Sequence, residues 1–333
     1  MNFDFTDDQQ AIKATAHDLL TKRFKLERVR ELAESKTYAD DAWTEVAELG
    51  WPGIFIAEEH GGQGLGVLEL VILLEELGYV LAPLPFLSNA AAGLILQDAG
   101  ATERLEGVAS GEQRGTVGVV KDGRAALVPD AEESDFIILL DGTDATLIER
   151  GDAEVEPIAA IDTTRRYAAV TANGGESLGD VSRGRDLIAL AVAAELVGIS
   201  QRVLEMAVEY AKDRKQFDRP IGAYQAVSHA CADMLKQVEG SRSLVYYAGW
   251  AADAAPDEFS LAASMAKAYA SDAGWNVSAS ALQVHGGIGF TWEHDLHWFL
   301  KRAKTDGVLY GSARDHRERV ADLAGLGTAV LSP

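Results

Sequence analysis

The chain has 333 residues, 47% of them hydrophobic, which is enough for a substantial buried core and two or three packed units. Its 52 acidic side chains against 30 basic ones leave a net charge of −22, a field that repels phosphate backbones and argues against nucleic-acid binding. No run of eighteen apolar residues occurs, so no membrane span is expected, and Met1-Asn-Phe-Asp-Phe-Thr-Asp-Asp8 lacks the basic and apolar regions of a secretory signal.

A single cysteine, Cys231, precludes an internal disulfide and lies among apolar helix positions, so it reads as core and the chain as cytoplasmic. Any phosphate-bearing ligand must be met by locally placed Arg and Lys against an acidic background.

Residues 1–112 read as helices. Ile12, Ala16, Leu19 and Leu20 give Gln9 to Lys22 an apolar face, and Thr6 with Gln9 forms a capping-box pattern. A short helix from Trp43 stops at Gly50. The stretch Glu59-His-Gly-Gly-Gln-Gly-Leu-Gly66 is glycine-rich, yet no strand precedes it and no Lys-Ser/Thr follows, so it does not read as a phosphate loop. An apolar helix from Val67 to Leu77 ends at Gly78.

In residues 113–178 the period changes. Thr116–Val120, Ala126–Val128, Phe136–Leu140 and Thr146–Ile148 are short β-branched runs, with Asp122-Gly123 and Asp141-Gly142 at hairpin intervals and a turn at Ala172–Gly175. Residues 179–333 are helical again. Leu196, Ile199, Val203, Met206 and Tyr210 form one stripe, and Val227, Cys231, Met234 and Val238 another. Further helices are expected from Glu258 to His285 and from Glu293 to Lys304. The reading is a mainly α chain with a small β domain in the middle and an antiparallel four-helix bundle at the C-terminus.

Two segments of that bundle carry chemistry. Tyr210-Ala-x-x-Arg214-x-Gln216-Phe217-x-Arg-Pro-Ile221, followed by Gln225, offers a cation, amides and an aromatic ring. Gln283-x-x-Gly286-Gly287-x-Gly-Phe290 offers an amide and accessible glycine backbone. With Gly50-Trp51, Glu59-x-Gly-Gly-x-Gly-Leu65 and Glu75-Glu76-Leu-Gly78, these motifs resemble, in order and over nearly the whole chain, those of acyl-CoA dehydrogenases. The resemblance implies a helical domain, β domain and bundle, and α,β-dehydrogenation of an acyl-CoA thioester. It also implies FAD bound across a subunit interface. Arg214 would then pair with the pyrophosphate, with Gln216 beside it and Phe217 near the adenine half. Ile221, Gln283, Gly286 and Gly287 would approach the same cofactor.

The chain departs from that pattern at three places. The β segment lacks the family's Thr-Glu-Pro…Gly-Ser-Asp flavin loop and its Trp/Ile-Thr-Asn segment. Tyr310 stands where the family has its glutamate base, ahead of Gly311 and Ser312, and a phenol titrating near 10 is a poor base for an α-proton. Where some members carry the base on the first bundle helix instead, this chain has Ile188; Asp186 is two residues away on another face, and Glu195 lies two turns along, reading as a solvated or paired carboxylate.

The resemblance therefore implies a subunit without a base. It would complete FAD in an α2β2 assembly with a homologous subunit, as in the actinobacterial enzymes acting on steroid side-chain CoA thioesters, with an electron-transfer-flavoprotein-like acceptor. The alternatives are an autonomous homotetramer using Tyr310 or Asp186, and a catalytically silent binding homologue. His294 and His297, flanked by Glu293 and Asp295 and interleaved with Trp292 and Leu296, read as structural and not as metal ligands.

Overall fold

The computed structural model describes residues 4–326. The first three residues of the N-terminal stretch read above, and the last seven of the third segment, lie outside the described residues.

Six helices open the chain: α1 (Asp7–Arg23), α2 (Leu26–Ser35), α3 (Asp40–Glu48), α4 (Val67–Tyr79), α5 (Phe86–Ala99) and α6 (Leu105–Ser110). The capping box at the start of α1 forms, with the Gln9 amide N–H donating to Thr6 Oγ1 at 3.2 Å and the Thr6 N–H to Gln9 Oε1 at 3.0 Å. The chain leaves α3 through Gly50 in the left-handed region. The glycine-rich stretch folds as a tight turn on Ile56, whose carbonyl leaves no room for a Cβ at Gly62.

A seven-stranded sheet follows: β1 (Gly115–Lys121), β2 (Arg124–Pro129), β3 (Phe136–Asp141), β4 (Asp144–Glu149), β5 (Ala153–Pro157), β6 (Tyr167–Ala172) and β7 (Glu176–Asp180). Its order is β5-β6-β2-β1-β3-β4-β7. Both hairpins expected at Asp-Gly form, β1 with β2 and β3 with β4. Asp122 and Gly123 both take positive φ, the two-residue turn that matches strand twist. The sequence reading missed β5, β6 and β7. The Ala172–Gly175 turn is not a hairpin, because β6 and β7 sit five places apart in the sheet. Its short link spans at most about 14 Å, whereas five strand spacings on a flat sheet would be about 24 Å. The sheet must therefore curl back on itself.

The rest is helical: α7 (Ser182–Asp213), α8 (Gln225–Ala254), α9 (Pro256–His285), α10 (Leu296–Asp306) and α11 (Ala313–Leu323), with a small hairpin of β8 (Lys215–Gln216) and β9 (Arg219–Pro220) between α7 and α8. Three helices are long, and the fourth bundle position is taken by the eleven-residue α10 and α11 against α9. The helix expected from Glu293 begins only at Leu296, because residues 291–295 form turns clamped by Arg30.

By length and composition α7 could cross a bilayer, but 89% of its most apolar window is buried inside the protein, against α4, α8 and α9. Leu196, Ile199 and Val203 are fully buried. In the α8 stripe Met234 and Val238 are core, while Cys231 is partly buried and packs against the core from its edge. Helix α4 ends at Tyr79, one residue beyond the expected stop at Gly78. A Cβ at Gly78 would lie 2.2 Å from the Glu195 carbonyl, and one at Gly198 would lie 1.8 Å from that of Glu75. These two glycines let the backbones of α4 and α7 touch.

Candidate functional site at the bundle end and beside Tyr310

The two motifs of the bundle meet at one end of it. Helix α7 finishes at Asp213 and α9 at His285, and the Tyr210 ring stacks on the His285 ring with centroids 4.5 Å apart. The His285 Nδ1–H donates to the Ala281 carbonyl at 2.8 Å, burial lowers its pKa, and His294 closes the cluster edge-on at 4.6 Å. Arg214 thus follows directly on one helix C-terminus and Gly286 on the neighbouring one.

The β8–β9 hairpin turns at Phe217 and Asp218, both at positive φ, so Phe217 stands out with 88% of its surface exposed. The Ile221 N–H donates to the Arg214 carbonyl at 2.8 Å, which folds Ile221 back beside it. Helix α8 begins with no side chain capping its N-terminus, so its positive dipole end faces the same region.

These groups have the character of a cradle left open. Among the described residues no carboxylate pairs with Arg214, and the Gln216 amide reaches only the Lys215 carbonyl. An added Cβ at Gly286 or Gly287 would meet nothing within 4 Å. The donor fork, the exposed ring and the bare backbone are groups that could hold an anionic nucleotide at this end. His294 and His297 pack against His285 and against Trp292 and Trp298 respectively.

Tyr310 lies elsewhere, in the turn between α10 and α11, at positive φ. Its hydroxyl donates to the Val117 carbonyl of β1 at 3.1 Å, and burial pushes its pKa far up. It keeps its proton. Asp186, the other candidate base, is held by Arg319 and accepts from Ser260 Oγ at 2.6 Å. Ile188 is buried.

Next to Tyr310 the space between sheet and bundle is filled by charge. Arg165, from the loop between β5 and β6, sends one nitrogen to both Glu195 oxygens at 2.8 Å and another to Asp306 Oδ1 at 3.1 Å. Arg302 of α10 donates to Asp162 at 2.6 Å, Glu195 at 2.8 Å and Thr164 Oγ1 at 2.5 Å. None of these charged residues is more than 3% exposed.

Burial raises the pKa of Asp162 and of Glu195, but the two guanidinium groups outweigh it and both end below the usual range. For Asp306, burial and then the Glu195 charge push the pKa well above that range. Two cations therefore face Asp162 and Glu195, while the Asp306 carboxyl is pushed toward its neutral form. Beneath them Lys267, fully buried, donates to the carbonyls of Asp306 at 2.9 Å and Gly311 at 3.0 Å, and burial brings its pKa down to about 7.

The sequence reading found Glu195 as the charge in an apolar helix but not its partners. Arg165 is 30 residues away and Arg302 is 107, and neither stands in a recognisable motif.

The fold sets an N-terminal helical domain and a C-terminal bundle on either side of a curled sheet. The acyl-CoA dehydrogenase N-terminal domain profile matches residues 6–111, and that family's C-terminal domain profile matches residues 182–324. The chain belongs to the acyl-CoA dehydrogenase family.

It is 35% identical over 317 residues to acyl-CoA dehydrogenase IpdE2 of Mycolicibacterium smegmatis, covering 95% of this chain and 98% of that one. Among solved structures it is similar to a chain of the Tcur3481-Tcur3483 steroid ACAD, at TM-score 0.88 and 26% identity over 97% of this chain and 99% of that one. It is also similar to a chain of the ChsE4-ChsE5 complex from Mycobacterium tuberculosis, at TM-score 0.88 and 25% identity over all of both chains.

Proposed function

We propose that this chain is the base-free subunit of a heteromeric, FAD-dependent acyl-CoA dehydrogenase, working in the cytoplasm on a CoA thioester with a bulky, steroid-derived acyl group. The observation that carries the reading is that Tyr310 is bonded to the Val117 carbonyl and the carboxylates near it are tied to guanidinium groups, Glu195 and Asp306 to Arg165, and Glu195 and Asp162 to Arg302. The likeness to chains of a steroid ACAD and of a two-component complex supports the substrate class and the unlike partner.

The cofactor is FAD, which when bound accepts the hydride leaving the β-carbon of the acyl group. This chain's part is to hold the nucleotide half. Arg214 neutralises the pyrophosphate charge at the end of two helices whose own dipoles disfavour an anion. Gln216 and Gln283 supply amide contacts, Phe217 and Ile221 supply apolar surface, and Gly286 and Gly287 admit close backbone approach. The partner, a homologous subunit, supplies the ring site and the carboxylate that removes the α-proton. An electron-transfer-flavoprotein-like protein takes the electrons onward.

An Arg214→Ala variant in the copurified complex tests the nucleotide-binding role. Loss of one charge-assisted contact should weaken FAD retention roughly 10- to 100-fold, read as flavin absorbance per polypeptide after dialysis. Full retention would refute the assignment.

A further inference from the structure

Gly286 and Gly287 open a tight helical turn that ends at Phe290, and residues 291–295 follow as turns without helix or strand. That stretch does little to hold itself. Thr291 returns to the Ile288 carbonyl through its N–H at 3.0 Å and its hydroxyl at 2.8 Å, but the His294 N–H reaches the Thr291 carbonyl only at 3.4 Å. Phe290 and Trp292 are both largely exposed, so neither buries enough apolar surface to act as an anchor. Glycine backbone has no side chain of its own to lock it, so a close approach there depends on neighbours that fix the loop.

The fixing comes from α2, 265 residues away in sequence. Arg30 donates to Asp295 Oδ1 through Nε at 3.1 Å and Nη2 at 2.7 Å, and Nη2 also donates to the Glu293 carbonyl at 3.2 Å. Asp295 shows what this tie displaces. It directly precedes α10, where an aspartate ordinarily accepts from an N–H of the first helical turn, yet its side chain caps nothing there and bonds Arg30 instead. Between Glu293 and Asp295, the His294 ring meets the His285 ring edge-on at 4.6 Å, and His285 is the residue before Gly286. Burial lowers the pKa of both histidines, so at neutral pH this contact is uncharged packing and the ionic tie is Arg30's.

We propose that Arg30 is a positioning residue for the cofactor. It fixes the 291–295 turns, and through His294 and His285 it fixes the Gly286–Gly287 backbone against which the nucleotide lies. The inference rests on the nucleotide-binding reading of that end of the bundle. Arg30 acts through Asp295 and the Glu293 carbonyl, not by contact with the cofactor, so its effect must vanish when Asp295 is already gone.

The test uses the full-length chain copurified with its homologous partner. FAD affinity is read by dialysis against graded FAD, and amide hydrogen exchange by mass spectrometry. Arg30→Ala is expected to weaken FAD binding about three- to tenfold and to speed exchange in residues 286–298 but not elsewhere. Asp295→Ala should match it, the double variant should be no worse than either single one, and Arg30→Lys should recover part of the loss. The proposal is overturned if Arg30→Ala binds FAD like the parent while Arg214→Ala does not, which leaves the nucleotide reading standing. It is also overturned if the two single losses add in the double variant, or if exchange rises throughout the chain. Full retention of FAD by Arg214→Ala would remove the nucleotide reading and this inference with it.

Discussion

Arg165 ties the loop between β5 and β6 to α7 and α10. Its guanidinium matches both Glu195 oxygens and Asp306 at once, so the desolvation of three buried groups is met by directed bonds. Two atoms remain without partners, Arg165 Nε and Asp306 Oδ2, consistent with a cluster filled to exclude water more than to maximise bonding. Removing Arg165 leaves Glu195 buried with one guanidinium fewer. Arg165→Ala is therefore expected to lower unfolding stability by about 3–5 kcal/mol, seen as a reduced urea midpoint with unchanged m-value. A change below about 1 kcal/mol, the range of exposed pairs, would mean the site is wet and open.

At the scale of elements, the crossing of α4 and α7 and the tie between α9 and the turn after α10 fix the interior. Gly198 and Gly78 face each other's helices with no space for a methyl group, so Gly198→Ala must push α4 away from α7. A loss of about 3 kcal/mol or more in thermal or urea unfolding is expected, because the clash is with backbone, which cannot rotate away.

The tie is Lys267, whose ammonium reaches the carbonyls of Asp306 and Gly311. The unfolded chain keeps this proton up to its ordinary value of 10.5, while the folded chain releases it near 7. Between those values the unfolded state binds more protons, so folding stability contributed here rises with pH. Chemical denaturation from pH 7 to 10 should show the parent gaining stability relative to Lys267→Met, and parallel curves would show that the lysine is not buried as described.

At the scale of the whole molecule, one end of the bundle is open and chemically unsatisfied while the space between sheet and bundle at Arg165 and Arg302 is filled by paired charge, and that asymmetry is the basis of the two-subunit account. Much of the first half was legible in the sequence. Arg214 and Gly286 follow helix ends marked by their own stripes, and the Thr6 cap and the Asp122-Gly123 turn are local signals that tertiary context left intact. The edge strands were not legible: β5 alternates acidic residues with small ones and β7 carries a glycine, so neither has the apolar run that announces a strand. They exist because the curled sheet offers them a partner. The ion-pair cluster was hidden for a related reason, since Asp162 and Arg302 meet across 140 residues and nothing near either reports the other. The central claim is tested most directly by counting flavin per polypeptide, with acyl-CoA dehydrogenation assayed in parallel, for the chain expressed alone and with its homologous partner. The account predicts a colourless, inactive chain alone and one FAD per unlike pair in the active complex; a yellow chain that dehydrogenates acyl-CoA unaided would contradict it.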